Sequence, residues 1–172
     1  MILKAFRENS NQKFINKLLN SKNAAISAKK IESVGVIVDA NEFADVEALK
    51  HFFNELGIQL PKITIIVFVE DEKKTERLWG NFFSKKDFGW KGNIKHVELQ
   101  SFINTKFDAL VSFYKNDILE LKIISAASKA NFKIGLSNVD NRLFDLILDV
   151  GVSDFDVFKT ELKKYLTILK KI

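Results

Sequence analysis

The segment Val34-Gly-Val-Ile-Val38, which is followed by Asp39, is the clearest indication of the fold in this sequence. It is a short apolar run rich in β-branched residues, and such runs are typical of strands buried on both faces of a parallel sheet. Similar runs recur along the chain, separated by stretches with helical periodicity. They predict further strands at 63–69, 94–99, 107–113, 132–136 and 144–149.

Between the strands, apolar residues repeat every three or four positions, as they do on one side of an amphipathic helix. This spacing predicts helices at 10–30, 42–56, 117–130 and 154–171, with a polar helix or loop at 71–83. Ser10 is a possible N-cap of the first helix. Asp39 and Glu42 fit a capping box at the start of the second helix.

Strands that alternate with helices predict an α/β fold. We expect three layers: a mostly parallel, Rossmann-like sheet of about six strands, with helices on both faces and an extra basic helix at the N-terminus. The sequence contains no linker rich in Pro, Gly or Ser. The interpretation is therefore one domain over 1–172, with residues 1–30 packed on it or flanking it.

Composition excludes several protein classes. The chain has 172 residues, of which 47% are hydrophobic, so it is able to close a core. With 7 Gly, 1 Pro and no Cys, it is neither collagen-like nor a disulfide scaffold, and it has no cysteine-ligated metal site. The start lacks a signal-peptide pattern, and the apolar run 63–69 falls far short of the roughly 20 residues of a membrane span. We expect a cytoplasmic protein.

Positive charge is concentrated at the two ends of the chain. Residues 1–30 hold seven Lys or Arg against one Glu, and residues 159–172 hold five Lys against one Glu, although the whole chain carries only +5. Such ends attract phosphates or anionic headgroups. The alternative is that these lysines only keep exposed helix faces soluble.

The carboxyl ends of the strands are the expected place for a ligand, where the winding of the sheet reverses. We place the reversal between the strand that ends at Asp39 and the one that ends near Phe113. The candidate ligand-binding residues are Asp39, Asn41, Ser112, Tyr114, Lys115, Ser137 and Asn138. These side chains suit a nucleotide or phosphosugar, because they can bind sugar hydroxyls and a phosphate. The alternative is that Asp39 and Asn41 are ordinary helix caps.

Catalytic signatures are missing from the sequence. It contains no GxGxxG, GxxxxGK[ST] or GxSxG motif, and we expect its two histidines, His51 and His96, to be solvated. A carboxylate metal site from Asp39, Glu70 and Asp71 lacks supporting spacing. We therefore predict no metal and no cofactor, and the sequence leans against an enzyme.

Aromatic and basic residues are interleaved between positions 77 and 95. The candidate partner or nucleic-acid surface consists of Arg77, Trp79, Lys85, Lys86, Trp90 and Lys91. Aromatic faces beside cations suit single-stranded nucleic acid or a peptide anchor. Gly89-Trp-Lys-Gly92 matches the GxxG backbone clamp of KH domains, although a strand is expected after it. The alternative is an aromatic plug that closes one edge of the sheet.

Several passages resemble a family of uncharacterised bacterial proteins of about this length: Phe83-Ser-Lys-Lys-Asp-Phe-Gly-Trp-Lys-Gly92, Phe107-Asp-Ala-Leu-Val111, Ser128-Lys-Ala-Asn-Phe-Lys-Ile-Gly135, Asp140-Asn-Arg-Leu-Phe-Asp145 and Glu161-Leu-Lys-Lys-Tyr-Leu166. This resemblance implies a complete single-domain protein and no particular activity. Residues 107–135 are also faintly similar to the amino-terminal half of bacterial heptosyltransferases. That similarity implies a fold only, because those enzymes need a second domain.

Two hypotheses for function follow. The first is a non-catalytic cytoplasmic module that uses its basic ends and the 77–95 segment to engage a protein or RNA partner. The second is a small enzyme or sensor that binds a nucleotide or phosphosugar at the strand ends. Membrane attachment through the 10–30 helix is a third possibility that we do not expect, because such a stripe more often packs on its own domain.

Overall fold

The computed structural model describes residues 1–21, 28–70 and 81–172. Its strands are β1 (Val34–Asp39), β2 (Ile63–Phe68), β3 (Asn81–Phe83), β4 (Ala109–Phe113), β5 (Phe132–Leu136) and β6 (Leu146–Leu148). Its α-helices are α1 (Ile2–Asn20), α2 (Val46–Glu55), α3 (Val97–Asn104), α4 (Leu119–Ala127) and α5 (Phe155–Ile168).

The six strands form one sheet in the order β3-β2-β1-β4-β5-β6, and every pair of neighbours is parallel. This is the order of the doubly wound Rossmann fold. The predicted α/β class and Rossmann-like sheet are therefore confirmed, with a sheet that is entirely parallel.

Helices cover both faces of the sheet, which confirms the three layers. One apolar cluster joins the sheet to α2 and α5, and the other joins it to α1, α3 and α4. All six residues of β1 are buried, as its apolar run predicts for the centre of the sheet. Ile15 of α1 is completely buried, so the N-terminal helix packs on the sheet layer rather than standing apart.

A Phe-Asp pair fastens β4 to the central strand β1. A methyl group built on Gly35 of β1 would lie 2.7 Å from the ring of Phe107, so the ring packs directly against the glycine backbone. The carboxylate of Asp108 accepts hydrogen bonds from the backbone amides of Glu32 and Ser33, just before β1, at 3.1 and 3.0 Å. The two residues thus fix the register in which β4 meets β1.

A second Phe-Asp pair does the same for β6 and β5. A methyl group on Gly135 would lie 2.3 Å from the ring of Phe144. The carboxylate of Asp145 accepts a hydrogen bond from the amide of Lys133 at 2.8 Å. The similarity between the two sequence passages therefore reflects one packing device used twice.

The strand expected at 94–99 is wrong, because α3 begins at Val97. Nδ1 of His96 accepts a hydrogen bond from the amide of Leu99 at 3.2 Å, so this histidine is the N-cap and is half-buried rather than solvated. Ile94 makes only an isolated antiparallel bridge with Phe88. The sixth strand is instead β3, whose three residues lie within the expected polar segment 71–83; residues 71–80 lie outside the described residues.

The first helix begins eight residues earlier than the sequence predicts, so Ser10 lies inside α1 and caps nothing. It also ends at Asn20, and residues 28–30 of the predicted helix are not helical. No Gly or Pro occurs in residues 2–9 to stop the helix from extending. The capping box of Asp39 and Glu42 is also wrong. The second helix starts at Val46, and its N-cap is Asp45, whose carboxylate accepts from the amide of Ala48 at 2.9 Å. None of the described helices is both long and apolar enough to cross a membrane.

Replacing Gly135 with alanine should lower the free energy of unfolding by about 1–3 kcal/mol, because the new methyl group overpacks the ring of Phe144. Urea denaturation measures the loss. Adding Phe144→Leu to the same chain makes room for the methyl group, so the double variant should lose less than the sum of the two single variants. If the losses of the two single variants add up to that of the double variant, the ring of Phe144 does not press on residue 135.

Asp108→Ala should destabilise the protein at neutral pH by about 1–3 kcal/mol, since the amides of Glu32 and Ser33 lose their acceptor. Burial alone would raise the pKa of Asp108, but hydrogen bonds from Lys29, Glu32 and Ser33 outweigh it and hold that pKa below its ordinary value. Because the carboxylate is favoured in the folded state, its contribution is present above the unfolded pKa of about 3.9 and is lost as the pH falls through the lower folded pKa.

The difference in unfolding free energy between wild type and Asp108→Ala should therefore be largest near neutral pH and shrink below about pH 4. Urea titrations between pH 3 and pH 7 measure it. A difference that grows on acidification would contradict this role of Asp108.

Candidate functional site

The winding of the sheet reverses between β1 and β4, as the sequence predicts. β2 and β3 lie on one side of β1, and β4, β5 and β6 lie on the other. Asp39 ends β1 and Phe113 ends β4 at the same edge of the sheet. In doubly wound sheets this edge is where ligands bind.

Two acidic side chains of the protein occupy the reversal point. Asp39 is completely buried, and its Oδ1 and Oδ2 accept hydrogen bonds from the amide of Asn41 and from Nδ2 of Asn116, both at 2.9 Å. Oε2 of Glu42 accepts from the backbone amides of Lys115 and Asn116 at 2.8 and 3.1 Å. The loop amides that would face an incoming phosphate are thus already bound to a carboxylate of the same chain.

Aromatic rings pack beside the same edge. The ring of Phe43 packs edge-on against Phe113, with 5.1 Å between centroids, and lies 5.0 Å from the ring of Phe155. Phe113 is completely buried under them. The turn after β1 therefore adds to the core instead of leaving the Gly-rich cradle that nucleotide loops provide.

Ser112 and Tyr114 lie in the core rather than at this edge. Both are completely buried on the face covered by α4, where the hydroxyl of Ser125 lies 2.9 Å from that of Ser112 and 2.8 Å from that of Tyr114. Burial raises the pKa of Tyr114, so its hydroxyl keeps its proton at all physiological pH values. Nearby, Nζ of Lys133 donates to the carbonyl oxygens of Ser125 and Ala126 at 2.7 and 3.1 Å. These groups join α4 to the sheet.

Ser137 and Asn138 lie at the end of β5, next to β6. Oγ of Ser137 donates to Oδ1 of Asp149 at 2.6 Å, and Asn138 has a positive φ of 75° in the turn. The structure therefore divides the seven candidate residues among three places. Asp39, Asn41 and Lys115 meet at the reversal point, Ser112 and Tyr114 lie in the core, and Ser137 and Asn138 lie at β5.

The second predicted surface contains both a buried and an exposed part. Arg77 and Trp79 lie outside the described residues. Phe83 and Phe88 are buried, with ring centroids 6.1 Å apart, so the expected aromatic plug exists. Trp90, in contrast, is 48% exposed. Trp90 is therefore exposed and does not belong to this buried aromatic cluster.

A buried side chain of α1, that of Asn11, binds the turn that carries Trp90. Nδ2 of Asn11 donates to the carbonyl oxygen of Gly89 at 3.1 Å, and Oδ1 of Asn11 accepts from the amide of Gly92 at 2.9 Å. Asn11 is only 2% exposed. The turn is also closed on itself by a hydrogen bond from the amide of Gly89 to the carbonyl oxygen of Asn93 at 2.7 Å.

Packing against α1 fixes the same turn. Gly92 has a φ of 70°, and a methyl group on it would lie 2.2 Å from the ring of Phe14. Lys91 adopts a left-handed φ of 55° just before it. Contact with α1 therefore explains the glycine at position 92, and the segment after it leads into α3 rather than into the expected strand.

Several basic residues lie close to Trp90 in the chain or on α1, the helix that binds its turn. We use the name Trp90 surface for Arg7, Lys85, Lys86, Trp90, Lys91 and Lys95. Within the described parts of the chain, Arg7, Lys91 and Lys95 have no carboxylate within 4.0 Å. Lys85 lies 3.8 Å from Glu70. Three of the five cations of this surface thus have no carboxylate partner among the described residues.

The remaining predicted groups do not assemble into a reactive centre. Nε2 of the exposed His51 lies 3.0 Å from a carboxylate oxygen of Glu55 on the same helix. Among residues 1–21, 28–70 and 81–172, no cluster of three or more His, Cys, Asp or Glu side chains is placed to hold a metal ion. Asp71, one of the three carboxylates considered for a metal, lies outside these ranges.

The fold defines an α/β protein. Its exposed features, those of the Trp90 surface, lie beside the edge at which Rossmann folds bind ligands and not within that edge. Residues 7–169 match the model of a family of unknown function, DUF6913, and the chain belongs to that family. Neither the curated proteins nor the solved structures contain a match to this chain.

Asn11→Ala should lower the free energy of unfolding by about 1–3 kcal/mol, because the carbonyl of Gly89 and the amide of Gly92 both lose the side chain that binds them. Thermal or urea denaturation measures the loss. Asn9→Ala on the exposed side of the same helix is the matched control and should change stability by less than about 0.5 kcal/mol. Equal effects of the two substitutions would refute the role of Asn11.

Proposed function

We propose that this protein is a non-catalytic interaction module that binds an acidic protein partner through the Trp90 surface. The observation that carries the proposal is the exposure of Trp90 on a turn held in place by Asn11 and Phe14. A rigid, exposed tryptophan contributes binding energy at little cost in conformational entropy. The cations of the same surface complement acidic side chains at the rim of such an interface.

The choice of a protein over RNA rests on the exposed apolar side chains of the same helix. Ile2, Leu3 and Phe6 in the first turns of α1 are 73%, 74% and 60% exposed. Aliphatic side chains of this kind fill apolar pockets of a protein partner, whereas binding of single-stranded RNA depends on aromatic stacking and phosphate contacts. Arg7 continues the same helix and supplies the cation beside them.

The alternative of a nucleotide or phosphosugar at the reversal point has less support. Glu42 holds the amides of Lys115 and Asn116, and a phosphate at this position would have to displace that carboxylate. Asp39 places a second negative charge next to it. Repulsion between like charges disfavours an anionic ligand there.

The cellular setting also belongs to the proposal. A cytoplasmic location agrees with a chain that contains no cysteine. A bacterial source is inferred from the family resemblance. We propose that residues 107–135 share a fold with bacterial heptosyltransferases, and we do not extend this similarity to activity.

Trp90→Ala tests the interaction. The full chain, immobilised, should retain a specific protein from a nuclease-treated lysate of its native cells, and that protein, once purified, should bind the chain directly. Isothermal titration calorimetry should show that Trp90→Ala raises the Kd at least tenfold, since a buried tryptophan anchor contributes about 2 kcal/mol or more. Raising the salt concentration should also weaken binding.

Leu60→Ala is the matched control, because Leu60 is similarly exposed, at 55%, in the turn before β2. It should bind the partner as the wild type does. Binding that is equal for the Trp90 and Leu60 variants would contradict the proposal. Loss of the retained partner on nuclease treatment would also contradict the proposal, because it would identify RNA as the ligand instead.

A further inference from the structure

A groove of about 530 Å³ lies between the first turns of α1 and the N-terminus of α4. Its floor includes Asp117 and Ile118 from the loop that follows β4, and Lys85 from the segment that follows β3. The groove therefore lies beyond the carboxyl ends of the sheet, beside the reversal point that Glu42 fills. Its volume is within the range of sites for small molecules.

Most charges along the groove are already paired. Lys4 lies 3.9 Å from Glu8, and Lys122 lies 2.6 Å from Asp117. The guanidinium of Arg7 lines the groove without a carboxylate partner among the described residues.

Glu120 also lines the groove and is the second unpaired charge. It is only 7% exposed, yet within the described parts of the chain its carboxylate has neither a hydrogen-bond partner nor an ion pair. The carboxylate oxygens themselves are not buried, so they are accessible to a ligand in the groove. The groove thus presents one cation and one anion that lack partners.

The N-terminus of α4 adds hydrogen-bond donors. Its N-cap residue is Ile118, whose apolar side chain cannot accept hydrogen bonds from the first amides of the helix. Such amides, together with the positive end of the helix dipole, favour a negatively charged group. They lie on the same side of the groove as Glu120, in the first turn of the helix.

We propose that this groove binds a small zwitterion of the amino-acid class. The ligand's carboxylate pairs with Arg7 and the free amides of α4, and its ammonium group pairs with Glu120. A simple anion would leave Glu120 unpaired, and a simple cation would leave Arg7 unpaired. A phosphate dianion is disfavoured further, because Glu8, Asp117 and Glu120 all line the groove.

Isothermal titration calorimetry on the full chain tests the site with the twenty free amino acids, inorganic phosphate and ribose 5-phosphate as separate probes. At least one amino acid should bind with a Kd below 1 mM, a limit that we set for the experiment. Glu120→Gln and Arg7→Gln should each raise that Kd at least tenfold, since each removes one of the two charges.

Glu98→Gln is the matched control, because Glu98 is the second residue of α3, as Glu120 is of α4, but it is exposed. It should leave the Kd unchanged, and circular dichroism should show that all three variants are folded. The proposal fails if no amino acid binds, if only the phosphate probes bind, or if both groove variants bind as the wild type does. Trp90→Ala should not change this Kd, so failure here is distinct from failure of the proposed partner interaction.

Discussion

The pairing of β4 with β1 is the contact on which the rest of the structure depends. Gly35 has no side chain, so the ring of Phe107 packs against its backbone, while Asp108 binds the amides of Glu32 and Ser33. These contacts set the register of the two central strands, and the other strands add outward from them. A Phe-Asp pair joins β6 to β5 in the same way. Gly, Phe and Asp residues therefore set the order of half the sheet.

The pairing of β4 with β1 brings the turns after these two strands together. Side chains of the protein itself fill the place where the turns meet. Glu42 binds the loop after β4, and Phe43 packs on Phe113. In a nucleotide-binding fold the same place is left open by glycines. The accessible features lie instead on the neighbouring surface, where α1 packs against α4 and contacts the Trp90 turn.

Sequence patterns predict the central part of this fold well, because buried strands and amphipathic helices carry periodic signals. β1, β2, β4 and β5 lie where their apolar runs predict them. β3 has only three residues, which are too few to show a pattern. The sequence does not predict α3, because His96 caps this helix in a segment that is equally compatible with a strand.

The candidate site was harder to predict, and the reasons differ between residues. Alternation along β4 places Ser112 and Tyr114 on the same face as the buried Leu110, so a signal for their core position was present in the sequence. Asn11 had no such signal. It lies 78 residues from Gly89 in the chain, and only the packing of α1 brings the two together.

In this structure α1 holds the Trp90 turn in one conformation before any partner binds. Backbone amide order parameters from ¹⁵N NMR relaxation on the free, full-length protein measure this rigidity. We expect values near 0.85 for the amides of residues 89–93, as in rigid secondary structure. Values below about 0.6 across this turn would show that it is flexible, and would contradict the view of the Trp90 surface as a preformed binding site.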